Sequence, residues 1–187
     1  MNLQEKKLLN LQNKLIKSEQ YIPAEDTFFL AEHLEKEKGE SALDVGTGSG
    51  YLAKILSSKF SYVVCTDIDY DSLKSQNPKI KNCICCNGAD PINCEFDLVI
   101  CNLPYLPSEK ISDHTTDGGM EGLEIPIKII NSVFRCVKKQ GKFLFLTSTL
   151  ANYKKLIEKT KLLGFDVKIL SRKKLFYEEL ILIEARK

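Results

Sequence analysis

The sequence predicts an α/β domain built on a seven-stranded, mostly parallel sheet. Three observations lead there. From Ser41 onward, short apolar runs alternate with amphipathic helical stretches, the pattern of a parallel sheet covered on both faces. Runs such as LVIC and FLFL are apolar without alternation, which suits central strands buried on both sides. The last two runs follow one another with no helix between them, so they read as an antiparallel pair at one edge, with the last strand antiparallel.

The chain's 187 residues suffice for one well-packed domain and are too few for two of full size. With 43% hydrophobic and 28% charged residues, the composition is that of a globular protein and excludes disorder, collagen-like repeats and coiled coil. Lysine and arginine number 27 against 25 acidic residues, a net charge of +2 that announces no nucleic-acid binder by bulk field. No apolar stretch is long enough to span a membrane, and the polar first residues lack the centre of a signal peptide. Seven cysteines, an odd number at irregular spacing, then read as reduced thiols in a cytoplasmic protein.

In chain order, leucines and Ile16 at helical spacing over 3–17 predict an amphipathic helix, so residues 1–20 are an N-terminal helical extension and 21–187 the main domain. A second helix starts near Pro23, carries Glu25 and Asp26 in its first turn and stops at Gly39. Strands are expected over 41–45, 62–67, 83–86, 96–102, 142–149, 166–171 and 179–185. Helices are expected over 50–59, 70–76, 122–138 and 152–163. Arg172-Lys173-Lys174 reads as a solvated turn between the last two strands.

The first strand runs into Gly46-Thr47-Gly48-Ser49-Gly50 and then a helix. Such a loop lets a ligand approach the backbone closely and offers it the helix's unpaired N–H groups. Tyr51 stands where a dinucleotide fingerprint needs its third glycine, and Asp44 before the loop would repel a pyrophosphate. A carboxylate there suits an ammonium or a sulfonium. Asp67 ends the second strand, where a carboxylate takes ribose hydroxyls. A nucleoside with a cationic amino-acid tail is S-adenosyl-L-methionine. Asp90, after the third strand, could accept from its adenine amino group or merely cap the turn before Pro91.

The fourth strand delivers Asn102-Leu103-Pro104-Tyr105 at its carboxyl end, where open α/β sheets place their sites. A planar amide or aromatic amine is a poor nucleophile because its lone pair is delocalised. The Asn102 carbonyl and the Leu103 backbone carbonyl can accept both N–H protons, aim the nitrogen at a methyl group and favour its becoming tetrahedral. Such positioning is worth up to about 7–11 kcal/mol of barrier. Pro104 stiffens the turn and Tyr105 offers a flat face to a planar substrate.

These residues resemble the (D/N/S)-x-P-(Y/F) motif of methyltransferases that modify planar nitrogens. The Asn-Leu-Pro-Tyr spelling resembles the ribosomal RNA adenine dimethyltransferases, while HemK-type glutamine methyltransferases usually have proline in place of Leu103. Tyr21-Ile22-Pro23-Ala24-Glu25-Asp26-Thr27-Phe28-Phe29-Leu30, however, closely resembles the opening segment of the eukaryotic and archaeal HemK/PrmC-like release-factor methyltransferases. Asp117-Gly118-Gly119-Met120-Glu121-Gly122 resembles their x-G-G-x-x-G segment, which helps form the substrate pocket. The resemblance spans about residues 20–185. It implies a Rossmann-like class I methyltransferase fold and N5 methylation of the glutamine in the Gly-Gly-Gln motif of a class-I release factor. It also implies donor contacts near Thr27 and a small zinc-binding activator subunit.

The strand Asn82-Cys83-Ile84-Cys85-Cys86 is expected at the sheet's edge with little helix after it, a suitable place for that activator to pair. Cys83 and Cys86 point to opposite faces of a strand and have no second C-x-x-C, so no metal site is expected. His114 and Arg172-Lys174 are given no assigned role. Two rivals stand beside the glutamine reading. One is an adenine-N6 methyltransferase acting on RNA or DNA. The other is a catalytically silent donor-binding subunit, against which the intact Asn102–Tyr105 motif argues.

Overall fold

The computed structural model describes residues 23–76 and 79–187. The helix expected over 3–17, and with it the extension over 1–20, lies outside them. The described helices are α1 (Glu25–Leu34), α2 (Tyr51–Leu56), α3 (Tyr70–Ser75), α4 (Glu124–Phe134) and α5 (Tyr153–Leu162). The strands are β1 (Gly39–Val45), β2 (Phe60–Asp67), β3 (Cys83–Cys85), β4 (Phe96–Asn102), β5 (Leu106–Pro107), β6 (Asp117–Gly119), β7 (Val137–Ser148), β8 (Asp166–Lys174) and β9 (Glu179–Arg186).

Seven strands form one sheet in the order β3-β2-β1-β4-β7-β9-β8. All neighbours are parallel except β9, which runs antiparallel to both β7 and β8. This is the Rossmann-like class I methyltransferase fold. Strand order advances one way from β1 to β3 and the other way from β4, so the reversal falls between β1 and β4, where such sheets bind ligands.

Alternation divides the core. Leu43, Val45, Val99, Cys101, Phe143 and Phe145 join α4 and α5 on one face. Ala42, Leu98, Ile100, Leu144 and Leu146 join α1 and α2 on the other. The apolar side chains of the central strands therefore find an apolar layer on both faces, which is why runs such as LVIC and FLFL carry no polar alternation.

Several boundaries differ from those the sequence predicts. The first described helix ends at Leu34, and Gly39 begins β1 rather than ending that helix. The strand expected from 142 begins at Val137, its first residues being set off by a register shift and by Gln140 at φ 71°. Arg172-Lys173-Lys174 is not a turn but the end of β8; Arg172 pairs with Glu179 at 2.5 Å and Lys173 with Glu25 at 2.7 Å. Those two ion pairs let three consecutive cations continue a strand. The short parallel pair of β5 and β6 was not anticipated.

Candidate active site

At the strand-order reversal the carboxyl ends of β1, β2 and β4 open into a cavity of about 270 Å³. One wall is the glycine loop. Its Gly46 and Thr47 N–H groups both donate to the Thr66 carbonyl at 2.9 Å, which straps the loop to β2. Gly46 has φ +71°, and a Cβ built there meets nothing within 4 Å. Its glycine is therefore required by the backbone angle and not by space, and its open side faces the cavity it lines.

Asp44 lies beneath that loop, 1% exposed. Its Oδ2 accepts from the Thr47 hydroxyl at 2.7 Å, while Oδ1 is buried with no hydrogen-bond partner among the described residues. Burial pushes its carboxyl up to about 7, the Thr47 hydroxyl opposing and the charge of Asp67 adding to the rise. Asp67 is also raised, again mainly by burial. Its two oxygens accept the Gly48 N–H at 2.7 Å and the Asp69 N–H at 2.9 Å. Two carboxylates thus converge on a site rich in backbone N–H groups, a pairing that costs free energy until a cation arrives.

Across the cavity, Asn102 ends β4. Its Nδ2 donates to Asp26 Oδ2 at 3.1 Å, and the other oxygen of Asp26 accepts the Thr27 N–H at 2.6 Å. A carboxylate accepts and cannot donate, so this contact fixes which end of the Asn102 amide faces α1. The start of α1, Asn102 and the glycine loop surround one space.

A family profile described as "Methyltransferase small domain" matches residues 24–176. The chain belongs to that family. A Methanocaldococcus jannaschii protein assigned as protein N5-glutamine methyltransferase MJ0928 is 34% identical over 180 residues, covering 89% of this chain and 91% of the relative. Human methyltransferase HEMK2 is 27% identical over 175 residues, 80% of this chain and 81% of that one. A solved chain of the E. cuniculi Mtq2–Trm112 complex, responsible for methylation of the eRF1 translation termination factor, superposes with a TM-score of 0.79 at 27% identity. It covers 91% of this chain and 99% of its own. The protein is an S-adenosylmethionine-dependent N-methyltransferase of the HemK-like group.

Of the residues singled out in the methyltransferase's sequence, Thr27, Gly46, Gly48, Asp67, Asn102 and Pro104 line the cavity. Asp44 lies under the loop, and Gly50 caps α2 at φ 77°. Asp90 is exposed and does not line the cavity; its carbonyl accepts from Arg135, and Asn87 and Gly88 supply that wall instead. The Leu103 side chain, 2% exposed, belongs to the α4–α5 core. Leucine or proline at this position is therefore read by core packing and not by the cavity. The Tyr105 ring, 9% exposed, packs with the α1–α2 core and does not line the cavity.

The x-G-G-x-x-G segment supports the catalytic turn from behind. A Cβ on Gly118 would stand 2.7 Å from the Pro104 carbonyl, and one on Gly122 would overlap the Tyr105 carbonyl. These glycines are small because the turn's backbone lies directly against them.

Several contributors had no role assigned from the sequence, Ser72, Lys128 and Ile129 of the cavity wall among them. His114 and Thr115 reach the cavity from the long connection between β5 and β6. Gln76, 4% exposed, donates from Nε2 to the Gly48 carbonyl at 2.9 Å. No local motif marks Gln76; only the packing of β3 and α3 beside the loop reveals its role.

Proposed function

We propose that this methyltransferase transfers a methyl group from S-adenosyl-L-methionine to the side-chain N5 of the glutamine in the Gly-Gly-Gln motif of a class-I translation release factor. The observation that carries the reading is the orientation of Asn102 by Asp26 at the cavity wall facing the glycine loop. The extent of the match to Mtq2, a chain whose complex methylates eRF1, supports the choice of substrate.

The donor fits this chain's own groups. Asp44, with its buried and unsatisfied Oδ1, supplies a negative charge awaiting a cation. Gly46, Gly48 and Gly50 let the ligand approach the loop backbone, and Thr27 closes the space from α1. Asp67 has the placement to accept ribose hydroxyls, and Asn87 and Gly88 bound the adenine end. When bound, S-adenosylmethionine supplies an electrophilic methyl group.

The chain's part in the chemistry is positioning. The Asn102 Oδ1 and the Leu103 carbonyl accept the two N–H groups of the glutamine amide and hold its nitrogen in line. Pro104 stiffens the turn that carries both acceptors, and Tyr105 anchors that turn in the core. No strong base is needed, because the amide proton becomes acidic once the nitrogen carries positive charge.

A small zinc-binding activator subunit belongs to the active form in this reading, paired along residues 82–86. The strand β3 is short and lies at the sheet's edge with Ile84 and Cys85 exposed, and no helix occurs over residues 86–95. The match to a chain solved together with Trm112 supports a partner of this kind. Such an enzyme acts in the cytoplasm, and among the described residues no helix is long and apolar enough to cross a membrane.

A labelled-methyl transfer assay tests the reading. The purified chain, with and without a candidate activator, is offered release factor, its Gly-Gly-Gln→Gly-Gly-Ala variant, and total RNA. Label on wild-type release factor alone is the expected result. Label on RNA alone would move the enzyme to adenine chemistry.

A further inference from the structure

The β8–β9 hairpin ends in a tight turn, closed by the Leu175 N–H donating to the Glu178 carbonyl at 2.8 Å. Phe176 and Tyr177 occupy its two central positions, where hairpin turns ordinarily carry glycine, asparagine or aspartate. The two residues are 88% and 86% exposed, and their rings meet edge to face with centroids 4.6 Å apart. Neither belongs to either core cluster, while Leu175 beside them packs against the α1–α2 core. The turn is therefore anchored and holds two aromatic side chains out in water, at a cost that the fold does not require.

Strand register locates this turn relative to the site. Asn102 is level with Leu146 of β7, and Leu146 with Leu182 of β9. From Leu182 the chain runs five residues outward to Tyr177 and six to Phe176, so the tip stands roughly 16–20 Å of strand path above the level of Asn102. It is displaced sideways by two to three strand spacings, about 10–14 Å. The ion pair from Lys173 to Glu25 ties the same hairpin to the first turn of α1, one residue from Asp26.

The intervening rim is continuous. Thr149 and Glu179 bond each other twice, the Thr149 N–H donating to the Glu179 carbonyl at 3.0 Å and the Glu179 N–H to Thr149 Oγ1 at 2.9 Å. The Asn152 N–H donates to the Glu121 carbonyl at 3.0 Å, joining the next turn to the glycine segment. Exposed Leu150 and Met120 stand on these joined turns. Four large apolar side chains thus mark one edge of the molecule, the edge into which the cavity opens.

We propose that this rim, anchored by Phe176 and Tyr177, is the docking surface for the folded body of the protein substrate; the proposal rests on the glutamine reading above. A glutamine on a loop can reach Asn102 only if the domain carrying it covers the carboxyl edge of the sheet. An isolated Gly-Gly-Gln tripeptide extends about 10 Å and does not reach the tip, so contact there requires a substrate with a body. Phenylalanine and tyrosine are side-chain types concentrated in interface cores and anchors. A nucleic acid would stack on them equally well but would also need unneutralised cations. Of the three cations beside the turn, Arg172 and Lys173 are engaged by Glu179 and Glu25, which leaves Lys174 alone of the three without an ion pair among the described residues, too little positive charge to hold a phosphate backbone.

The test is steady-state methylation of intact release factor by wild type and by the Phe176→Ser/Tyr177→Ser variant, with the activator present where activity requires it. The expected result is a KM for release factor raised about tenfold or more. The turnover number at saturation and the affinity for S-adenosylmethionine stay within about twofold. Calorimetric titration of release factor should show the same loss in affinity. An unchanged KM overturns the proposal, as does an equal loss in turnover or donor affinity, or a loss confined to activator binding or self-association. If the wild-type enzyme labels no release factor, the glutamine reading fails and the docking proposal with it. If it labels release factor and the variant does so with the same KM, the docking proposal alone fails.

Discussion

The Asp26 carboxylate accepts a hydrogen bond from the side-chain amide of Asn102 at 3.1 Å, joining the first turn of α1 to the end of β4. The same carboxylate accepts the Thr27 N–H, so its own rotamer is fixed. An acceptor-only group against an amide selects one of two nearly isosteric orientations, the one that turns the amide oxygen away from α1. In Asp26→Asn the neighbour can donate as well as accept, and both orientations of Asn102 become available. The turnover number should fall about tenfold to a hundredfold, as misplacement of a positioning group does. Donor affinity should change little. Asn102→Ala should cost about 10²–10³ in turnover with donor binding retained. Rapid-quench methylation and calorimetric donor titration separate the two quantities. Wild-type turnover in Asp26→Asn would show that other contacts orient the amide.

Asp44 should make donor binding depend on pH. Its carboxyl is pushed up to about 7 by burial, from an ordinary value near 3.8. Raised in the folded state, it contributes stability that is fully present below about pH 4 and lost as pH rises through 7. A bound cation favours the ionised form, so donor binding expels a proton below pH 7. Affinity for S-adenosylmethionine should rise with pH from 5 to 7, by at most about tenfold per unit, and level off above. Asp44→Asn should flatten that profile, weaken the donor at pH 8 and raise the thermal midpoint of the ligand-free protein there. A variant that kept the wild-type slope would place the titration elsewhere.

The strand–helix alternation, the antiparallel last strand and the glycine loop were legible because each rests on a local signal. The signals are uninterrupted apolar runs, two strands without an intervening helix, and glycines after an apolar run. Asn102 and Asp67 were legible for the same reason, since a strand end fixes where the next side chain goes. What was not legible depends on residues far apart in sequence. Arg172-Lys173-Lys174 looks like a solvated turn until Glu25 and Glu179 are seen to face it. Tyr105 looks like a flat face for the substrate until the α1–α2 core takes its ring. Gln76 carries no motif at all; its partner is a backbone carbonyl 28 residues away.

That carbonyl belongs to Gly48, which makes Gln76 a test of how the loop is held. Gln76→Leu keeps the volume and removes the donor, leaving a half-buried carbonyl without it at a cost of about 1 kcal/mol. The thermal midpoint should fall by several degrees. Because Gly48 lines the cavity, donor affinity should fall more than the affinity for release factor. Equal losses in both would show a general loosening of the domain instead of a loop effect.

Gly122 offers a parallel test on the acceptor side. Its φ is +67°, and an added Cβ would overlap the Tyr105 carbonyl and stand 2.8 Å from the Ala151 Cβ. Gly122→Ala should cost about 1–3 kcal/mol from backbone strain alone, visible as a lower thermal midpoint. Any relief of the overlap must push the Pro104–Tyr105 backbone forward, so turnover should fall while donor affinity holds. A variant as active as wild type would show that the catalytic turn tolerates displacement.

The exposed edge at β3 supplies the last expectation. A β-paired partner there needs main-chain hydrogen bonds from the outer side of residues 82–86 and tolerates little change of side-chain direction. Cys85→Pro removes a donor and fixes φ at the middle of that edge, which blocks strand addition; because Cys85 is level with Asp67 of the cavity, donor affinity is measured beside complex formation. Co-expression with the activator should then yield no stable complex, and solubility of the chain should not improve, whereas for wild type the expected result is improvement. Cys85→Ser, isosteric and with its backbone donor intact, should form the complex normally. A stable complex with Cys85→Pro would move the activator to another surface, because no pairing along β3 survives loss of its central N–H.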